Sequence, residues 1–339
     1  MIVRSMVFLK NKSLITTQEW SKDELEYVLN KAFELKKTFK KGRYNIHKKL
    51  EGYTLIMLFF SPSTRTRNSF EVGMTQLGGH AIYIDADKSW VGRKSESIKD
   101  TAKVLSRYAD AIGIRIFPNV VKWKYGEANR IIREFEKFSE IPIINFEDDL
   151  YHPCQALSDI MTIKEKVNNL KNKKFVISWA YHPRPLPVSV PNSTLLATTR
   201  FGLDVTLVHP PGFELDDKII NIAKKNASKN GSSFEITNTL EDAYAGADIV
   251  YVKSWGSLKE YGNPQKEKKL RIPYRENWIC NDQLMDLTNK NSFFMHCMPI
   301  RRNVIATDSV CDGAHSIIYD QAENRLHLQK GLLVSILQS

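Results

Sequence analysis

Tyr53-Thr54-Leu55-Ile56-Met57-Leu58-Phe59-Phe60-Ser61-Pro62-Ser63-Thr64-Arg65-Thr66-Arg67-Asn68-Ser69-Phe70-Glu71-Val72-Gly73-Met74 is the stretch around which the chain is organised. Its first eight residues form a mostly apolar run of strand length, and Phe70, Met74 and Leu77 recur at helical spacing. A polar turn lies between them, so the segment reads strand, turn, helix start. The first turn of a helix exposes unpaired N–H groups and the positive end of the dipole. Two arginines and several hydroxyls placed there describe a pocket for a phosphate or another multiply charged anion. An ordinary cap, with Ser63 or Thr64 closing the helix and the arginines solvated, would account for one Ser and one Arg. It does not account for this density of polar groups.

Working outward, 339 residues suit two domains of ordinary size. Hydrophobic content of 42% against 26% charged residues marks a globular chain, not a disordered one. A net charge of +11 suits acidic ligands or nucleic acid. The lysines fall in short scattered runs, such as Lys36-Lys37 and Lys266 to Lys269, without interleaved aromatics. They read as solvated faces, so no nucleic-acid partner is expected. Cys154, Cys280, Cys297 and Cys311 form no C-x-x-C pair and no zinc spacing, which points to a reducing compartment and no metal. Met1 to Lys10 is broken by Arg4 and lacks the pattern of a signal peptide, and no run reaches the length of a membrane span. The expectation is a cytoplasmic protein with no membrane partner.

Before the opening strand, Ser21-Lys22-Asp23-Glu24 is a capping box, and Leu25, Val28, Leu29, Ala32 and Phe33 carry a helix to about Phe39. Gly42 to Glu51 is a basic connector. Beyond the loop helix, Gly78-Gly79 breaks the chain and His80 to Asp85 is a strand. Asp87 to Ser97 is an irregular polar loop with Trp90, Gly92, Arg93, Lys94 and Ser95. Ile98 to Tyr108 is helical, and Ala111 to Phe117 is a strand carrying one charge, Arg115, near its end. At the carboxyl end of a parallel strand that arginine faces the ligand crevice. An edge-strand arginine facing water is the alternative. A helix from about Tyr125 to Phe138 and a strand from Pro142 to Phe146 close the first set.

The second set opens with a helix over Gln155 to Val167 and a strand over Phe175 to Trp179. The prolines of Tyr181 to Pro187 forbid helix there. Asn192-Ser193 caps a helix to about Thr199, followed by a strand at Val205 to His209, a helix at Leu215 to Asn230 and a strand at Ser233 to Ile236. Leu240 to Ala245 is a short helix ended by Gly246, and Asp248 to Val252 is a strand leading to Lys253-Ser254-Trp255-Gly256. Ser257 to Trp278 reads as a long functional loop. Asp282 to Leu287 starts a helix, Ser292 to His296 is the last strand, and Tyr319 to Leu337 is a terminal helix with Arg325. Strands alternating with helices predict an α/β fold: two doubly wound parallel-sheet domains, with the C-terminal helix returning to the first domain.

The chemistry-bearing residues fall at strand ends, which in such sheets line the crevice. They are the opening loop, Arg115, His152 with Gln155, Lys253, and His296 to Arg302. Singly each has a plain role: a helix cap for His152, a surface lysine for Lys253, a small core residue for Cys297. Together they make a cationic cleft with imidazole, amide and thiol groups. No acidic cluster for a divalent metal, no G-x-G-x-x-G after a strand and no G-x-x-x-x-G-K-[ST] is present. What remains is electrostatic transfer of an acyl-type group away from phosphate.

Ser63-Thr64-Arg65-Thr66-Arg67, His152-Pro153-Cys154-Gln155 and His296-Cys297-Met298-Pro299 resemble the signature motifs of the aspartate/ornithine carbamoyltransferase superfamily, in order and spacing over nearly the whole chain. The His-Cys-Met-Pro segment is similar to the ornithine branch. Where ordinary ornithine enzymes carry an aspartate and a Ser-Met-Gly loop, this chain reads Tyr251-Val252-Lys253-Ser254-Trp255-Gly256, which resembles the enzymes acting on N-acylated ornithine. Trp179 to Leu186 and Pro299-Ile300-Arg301-Arg302-Asn303 resemble that group too. Acylation removes the α-ammonium, so an aspartate partner is not needed and Lys253 can meet the α-carboxylate. In that group a later segment threads the proline-rich loop, so the resemblance implies a knotted chain.

The resemblance implies a carbamoyl phosphate-binding domain over residues 1–150, an N-acylornithine-binding domain over 151–318, and a C-terminal helix over 319–339 that packs on the first. Carbamoyl phosphate would sit on Ser63, Thr64, Arg65, Thr66, Arg115 and Arg325, with Trp90 closing over it from a neighbouring subunit of a homotrimer. His152, Arg115 and Thr66 would polarise the carbonyl. Gln155 and the Cys297 and Met298 carbonyls would hold the carbamoyl amine. Glu147, Asn192, Lys253, Arg301, Cys297 and Ser95 would meet the acylated amino acid, and no cofactor would take part. Ala243 to Asp248 and Glu323 to His327 resemble the acetyl enzyme, but that enzyme has a carboxylated lysine where this chain has Ile305 and a glutamate where Ser95 stands. The spacing from Glu147 to His152 is that of the succinyl enzyme, and a serine does not repel a succinyl carboxylate. The short Asp87 to Ser97 loop is similar to the ordinary ornithine enzyme, which stays as one alternative. A non-catalytic ligand-binding relative of the same fold is the other.

Overall fold

The computed structural model describes residues 7–42, 46–91 and 95–338. Most of Met1 to Lys10, part of the basic connector, and Gly92, Arg93 and Lys94 of the polar loop lie outside these residues. The chain divides into two compact units. Unit 1 takes the chain up to Val121, then Gly126–Ser158, then the segment from Asn324 onwards. Unit 2 takes Lys122–Tyr125 and Asp159–Glu323.

In unit 1, α1 (Lys22–Lys41) begins at the expected capping box, in which Ser21 and Glu24 satisfy each other's backbone N–H groups. Then follow β1 (Thr54–Phe59), α2 (Thr64–Leu77), β2 (His80–Asp85), α3 (Ile98–Leu105), β3 (Ala111–Arg115), α4 (Glu127–Phe138), β4 (Ile143–Glu147) and the start of α5 (Pro153–Lys166). The four strands are parallel, in the order β2-β1-β3-β4. Order reverses at β1 and β3, so the loops after these two strands flank the switch point, where such sheets bind ligands. Since β3 is an interior strand, the edge-strand reading of Arg115 fails.

Both sheet faces are covered. Ile56, Leu58, Ile112, Ile114, Ile132, Phe135 and Ile143 form one apolar layer. On the opposite face Phe70 of α2 stacks on Phe146 at 4.1 Å between ring centroids. Gly113 of β3 lies beneath that ring: a Cβ there would stand 1.8 Å from Phe146 Cζ, so only glycine fits. Gly78 ends α2 at φ 84°, the left-handed cap that glycine adopts without a Cβ penalty. The helix from Ile98 ends at Leu105 instead of Tyr108.

Unit 2 continues α5 and adds β5 (Lys174–Trp179), α6 (Ser189–Arg200), β6 (Asp204–Val208), α7 (Asp217–Asn230), β7 (Phe234–Thr237), α8 (Leu240–Tyr244) and β8 (Ile249–Lys253). After these come α9 (Pro264–Arg271), α10 (Asp282–Met285), β9 (Phe293–Met295), α11 (Asp308–Asp312) and α12 (Ile318–Gln338), whose residues from Asn324 belong to unit 1. The sheet is again parallel, in the order β7-β6-β5-β8-β9, with its switch point at β5 and β8. Trp179 and Trp255 are fully buried, and each indole N–H finds a carbonyl: Trp179 donates to Trp255 at 3.0 Å, Trp255 to Phe213 at 2.8 Å.

Asn192 and Ser193 do not cap α6: the helix begins at Ser189, and both residues lie buried inside it. Pro191 is tolerated because it sits in the first turn, where no intrahelical acceptor awaits its missing N–H. The stretch from Ser257 to Trp278 is not structureless. Asn263 caps α9, with Pro264 at its first position, and a 3-10 turn follows at Ile272–Tyr274. The charge of this segment hid a helix whose buried side is polar, namely Glu267 and Arg271.

Candidate active site

In unit 1 the opening stretch folds as its sequence demands. Ser63 is the N-cap of α2 and its hydroxyl accepts from Thr66 N at 3.3 Å. Ser61 turns the chain after β1 and its hydroxyl accepts from Phe117 N at 3.2 Å, tying the ends of β1 and β3 together. The two arginines of the loop part company. Arg67 stacks over Tyr83 and donates to Glu71 at 3.2 Å, so it belongs to the helix surface. Arg65 is half-buried and acts electrostatically on His152.

Arg115 is 8% exposed and ion-paired with Glu147, itself 7% exposed. A register shift between Ile114 and Arg115 sets Glu147 opposite it. The buried Arg115 Nε has no hydrogen-bond partner among the described residues, so a donor is available to a ligand. His152 precedes α5, Pro153 opens that helix, and Gln155 lies in its first turn. Arg325 of α12 donates to Gln155 Oε1 at 2.7 Å and to Thr66 Oγ1 at 3.3 Å. Thr66, Gln155 and Arg325, from three different elements, thus form one hydrogen-bonded group.

His152 is held well below the ordinary histidine value. Burial is the main cause; Glu147 opposes it, while Arg325, Arg115 and Arg65 reinforce it. Its Nε2 lies 3.6 Å from Glu147 Oε2, beyond hydrogen-bond reach. With a neutral imidazole, three guanidinium groups face one carboxylate. The cluster therefore carries net positive charge beside the N-terminus of α2, which suits a dianion. Glu147, which the resemblance places at the acceptor, has its carboxylate engaged with Arg115. Only its position one residue past the apolar run of β4 could have signalled this. Behind it, Asp148 is fully buried, and its carboxyl is pushed up to about 7 by burial and then by Asp149. Trp90 is 66% exposed, and its carbonyl accepts from the exposed Ser95 N at 3.0 Å.

In unit 2 Lys253 ends β8, half-buried and in register with Trp179. The proline-rich loop and the strand end are tied: Ala180 N donates to Lys253 O at 3.2 Å and Gly256 N to Leu186 O at 2.8 Å. His182 of that loop is held below its usual value first by burial and then, against a contact to the Arg184 carbonyl, by Lys253, Arg271 and Arg301. Positive groups therefore gather here as well. Asn192 is fully buried in α6, and Arg301 is exposed. Ile305 is buried in the core. After β9 the chain turns at His296, Cys297 and Met298; the Met298–Pro299 peptide is cis, and Met298 has φ 53°. Among the described residues no group of three or more His, Cys, Asp or Glu could hold a metal ion. No helix of the described residues is long and apolar enough to cross a membrane.

Two doubly wound parallel sheets, with a cationic cluster at the switch point of the first, define an α/β protein that binds a multiply charged anion. The sequence carries this further. Residues 12–165 match the family described as aspartate/ornithine carbamoyltransferase, carbamoyl-P binding domain, and residues 188–336 match its Asp/Orn binding domain. The chain belongs to the aspartate/ornithine carbamoyltransferase family. It is 41% identical to the N-acetylornithine carbamoyltransferase of Xanthomonas campestris pv. campestris, over 96% of this chain and 97% of that one. It is 38% identical to the ornithine carbamoyltransferase of Pyrococcus abyssi, over 98% of both chains. Among solved structures, acetylornithine transcarbamylase complexed with acetylcitrulline superposes with a TM-score of 0.89 at 39% identity, covering 97% of this chain and 100% of that one. A point mutant of N-acetyl-L-ornithine transcarbamylase complexed with carbamyl phosphate and N-succinyl-L-norvaline gives a TM-score of 0.89 at 40% identity, over 96% and 99%.

Proposed function

We infer that this chain transfers the carbamoyl group of carbamoyl phosphate to the δ-amine of an N-acylated ornithine, acetyl or succinyl, releasing phosphate. The observation that carries this is the unit 1 cluster: Thr66, Arg115, His152, Gln155 and Arg325, buried together at the helix start that the sequence marks as an anion site. The phosphate end fits the N–H groups of the Ser63 to Thr66 turn together with Arg65 and Arg115. Neutral His152 can donate to the carbonyl oxygen, and with Arg115 and Thr66 it would stabilise the oxyanion of a tetrahedral intermediate. Gln155, and the Cys297 and Met298 carbonyls, suit the carbamoyl amine. The neutral δ-nitrogen attacks the carbonyl carbon, the carbon–oxygen bond to phosphate breaks, and the proton lost by nitrogen goes to the departing phosphate. No electron changes hands, so the step calls for no redox cofactor.

Lys253, with Arg301 and Asn192, suits the acceptor's carboxylate and acyl amide. The absence of an aspartate at the end of β8 favours an acceptor without a free α-ammonium, since such a cation beside Lys253 would go unpaired. Ornithine, N-acetylornithine and N-succinylornithine assayed side by side test the reading. Turnover of an N-acylated acceptor, with ornithine far weaker, is expected; preference for ornithine overturns it. Arg65→Ala, folded but with carbamoyl phosphate use undiminished, overturns the donor assignment. Exposed Trp90 supports a homotrimer in which this side chain is covered by a neighbouring subunit, and sedimentation equilibrium tests that. That none of the four cysteines is in a disulfide supports a cytoplasmic setting.

A further inference from the structure

Asp159 is fully buried in unit 2, and the transfer step makes no use of its carboxylate. Its Oδ1 accepts from Gln321 Nε2 at 2.7 Å and its Oδ2 from Thr194 Oγ1 at 3.3 Å. Gln321, equally buried, turns its other end to His296, accepting from the backbone N–H at 2.9 Å. A carboxamide has one accepting and one donating end. A carboxylate opposite the nitrogen permits a single orientation, because the flipped amide would set oxygen against oxygen at Asp159 and NH₂ against N–H at His296. Asp159 thereby decides which atom Gln321 shows to the chain.

That chain segment needs holding. His296 follows the last residue of β9, and Met298 stands at φ 53°, a region non-glycine residues seldom enter. Met298 N donates to His296 Nδ1 at 2.9 Å, so the turn hangs on the placement of His296.

We propose that Asp159 is a positioning residue for carbamoyl transfer: by locking the Gln321 amide it anchors His296 and aims the Cys297 and Met298 carbonyls. The inference rests on the reading that these carbonyls receive the carbamoyl amine. A merely structural Asp159 would tie α5 to α12 and affect melting alone.

Wild type, Gln321→Glu, and Asp159→Asn with Gln321→Glu distinguish these roles. In Gln321→Glu two carboxyls share one hydrogen bond, so one of them keeps its proton to a higher pH than an isolated carboxyl would. The introduced carboxyl, while protonated, still accepts from His296 N; once ionised, it is repelled by Asp159. For this variant kcat/KM for carbamoyl phosphate should match wild type at about pH 6 and fall about tenfold by about pH 8.5, the worth of one displaced buried hydrogen bond. Adding Asp159→Asn supplies an N–H to the introduced carboxylate, while the oxygen of the new amide still faces Thr194. The double variant should recover wild-type activity across that range.

Deuterium exchange of the peptide spanning residues 294–300, followed on the same proteins, should speed up in Gln321→Glu at high pH and return to the wild-type rate in the double variant. If Gln321→Glu shows the wild-type pH profile and exchange, or the double variant does not recover, Asp159 is not the positioning group. Wild type that fails to use carbamoyl phosphate overturns the activity instead. The exchange rates then still decide whether Asp159 sets the turn.

Discussion

Arg115 and Glu147 face each other because the β3–β4 ladder skips a residue. Ile114 pairs with Asn145, and the next pair is Arg115 with Glu147. Without that irregularity Phe146, whose ring packs against Phe70, would stand opposite the arginine. A bulge of this kind re-aims a side chain at a sheet end. The pair it creates is buried, so removing one partner strands the other. Arg115→Ala should cost about 3–5 kcal/mol of stability and nearly all activity. Glu147→Gln keeps the shape and one hydrogen bond, and should cost less. Urea unfolding of both single variants and the double checks this. The double variant should be more stable than Arg115→Ala alone, because no carboxylate is then left unpaired.

His152 should behave as a neutral group throughout the working range. Its folded-state value lies well below the ordinary one, mainly through burial. The unfolded chain therefore takes up this proton first as pH falls. The stability linked to His152 is whole above about pH 6.5, drains away as pH drops towards the folded value, and levels off below it. The loss cannot exceed about 1.4 kcal/mol per pH unit. Urea midpoints for wild type and His152→Gln, measured between about pH 7.5 and 5, should converge on acidification. In kcat/KM, no limb near pH 6.5 should belong to His152. A limb there that vanishes in His152→Gln would show that the ring titrates in place.

Arg271 is fully buried in unit 2 and spends its guanidinium on several chain segments. Nε donates to Glu267 at 2.7 Å, one terminal nitrogen to His182 O at 2.8 Å and the other to Trp255 O at 3.3 Å. It so binds α9, the proline-rich loop and the segment after Lys253 into one body. Arg271→Met should destabilise by about 3–5 kcal/mol, since it leaves Glu267 buried without its partner. Adding Glu267→Leu should recover part of that loss. In both proteins the acceptor KM should rise while that for carbamoyl phosphate holds. Equal changes in the two constants would sink this role.

The legible part of the protein was what is written locally. Strand, polar turn and helix start follow one another within residues 53–74, so the anion loop could be read without tertiary knowledge. Arg115 stood out because one charge interrupts an apolar strand. Where a helix is buried on every side, as α6 is from Ser189 to Thr199, no polar stripe marks its beginning. Cap-like residues inside it then mislead, as Asn192 and Ser193 did. Where the buried side is polar, as with Glu267 and Arg271 in α9, hydrophobic periodicity is silent, and only the Asn263-Pro264 start signal remained. Contacts such as Asp159 to Gln321 join residues far apart in sequence, and no local pattern announces them. The Arg115–Glu147 pairing needed the bulge, which belongs to the sheet and not to either strand.

Lys253 offers the sharpest test of the acceptor. It closes β8 beside a histidine on which Arg271 and Arg301 also act, so the surroundings are cationic. An N-acylated amino acid presents a carboxylate and a neutral amide there, and the lysine gains a charge-assisted contact worth about 1.5–3 kcal/mol. Free ornithine brings an ammonium along with the carboxylate, and the two charges largely cancel what the lysine could gain. Lys253→Gln should therefore raise the KM for the N-acylated acceptor roughly ten- to a hundredfold, with little change for carbamoyl phosphate. The weak use of ornithine should change much less. Lys253→Arg keeps the charge on a broader head and should restore part of the affinity. If Lys253→Gln weakened ornithine and its acylated forms by the same factor, the lysine would serve the carboxylate alone. Discrimination against the free α-amine would then lie with other residues of unit 2.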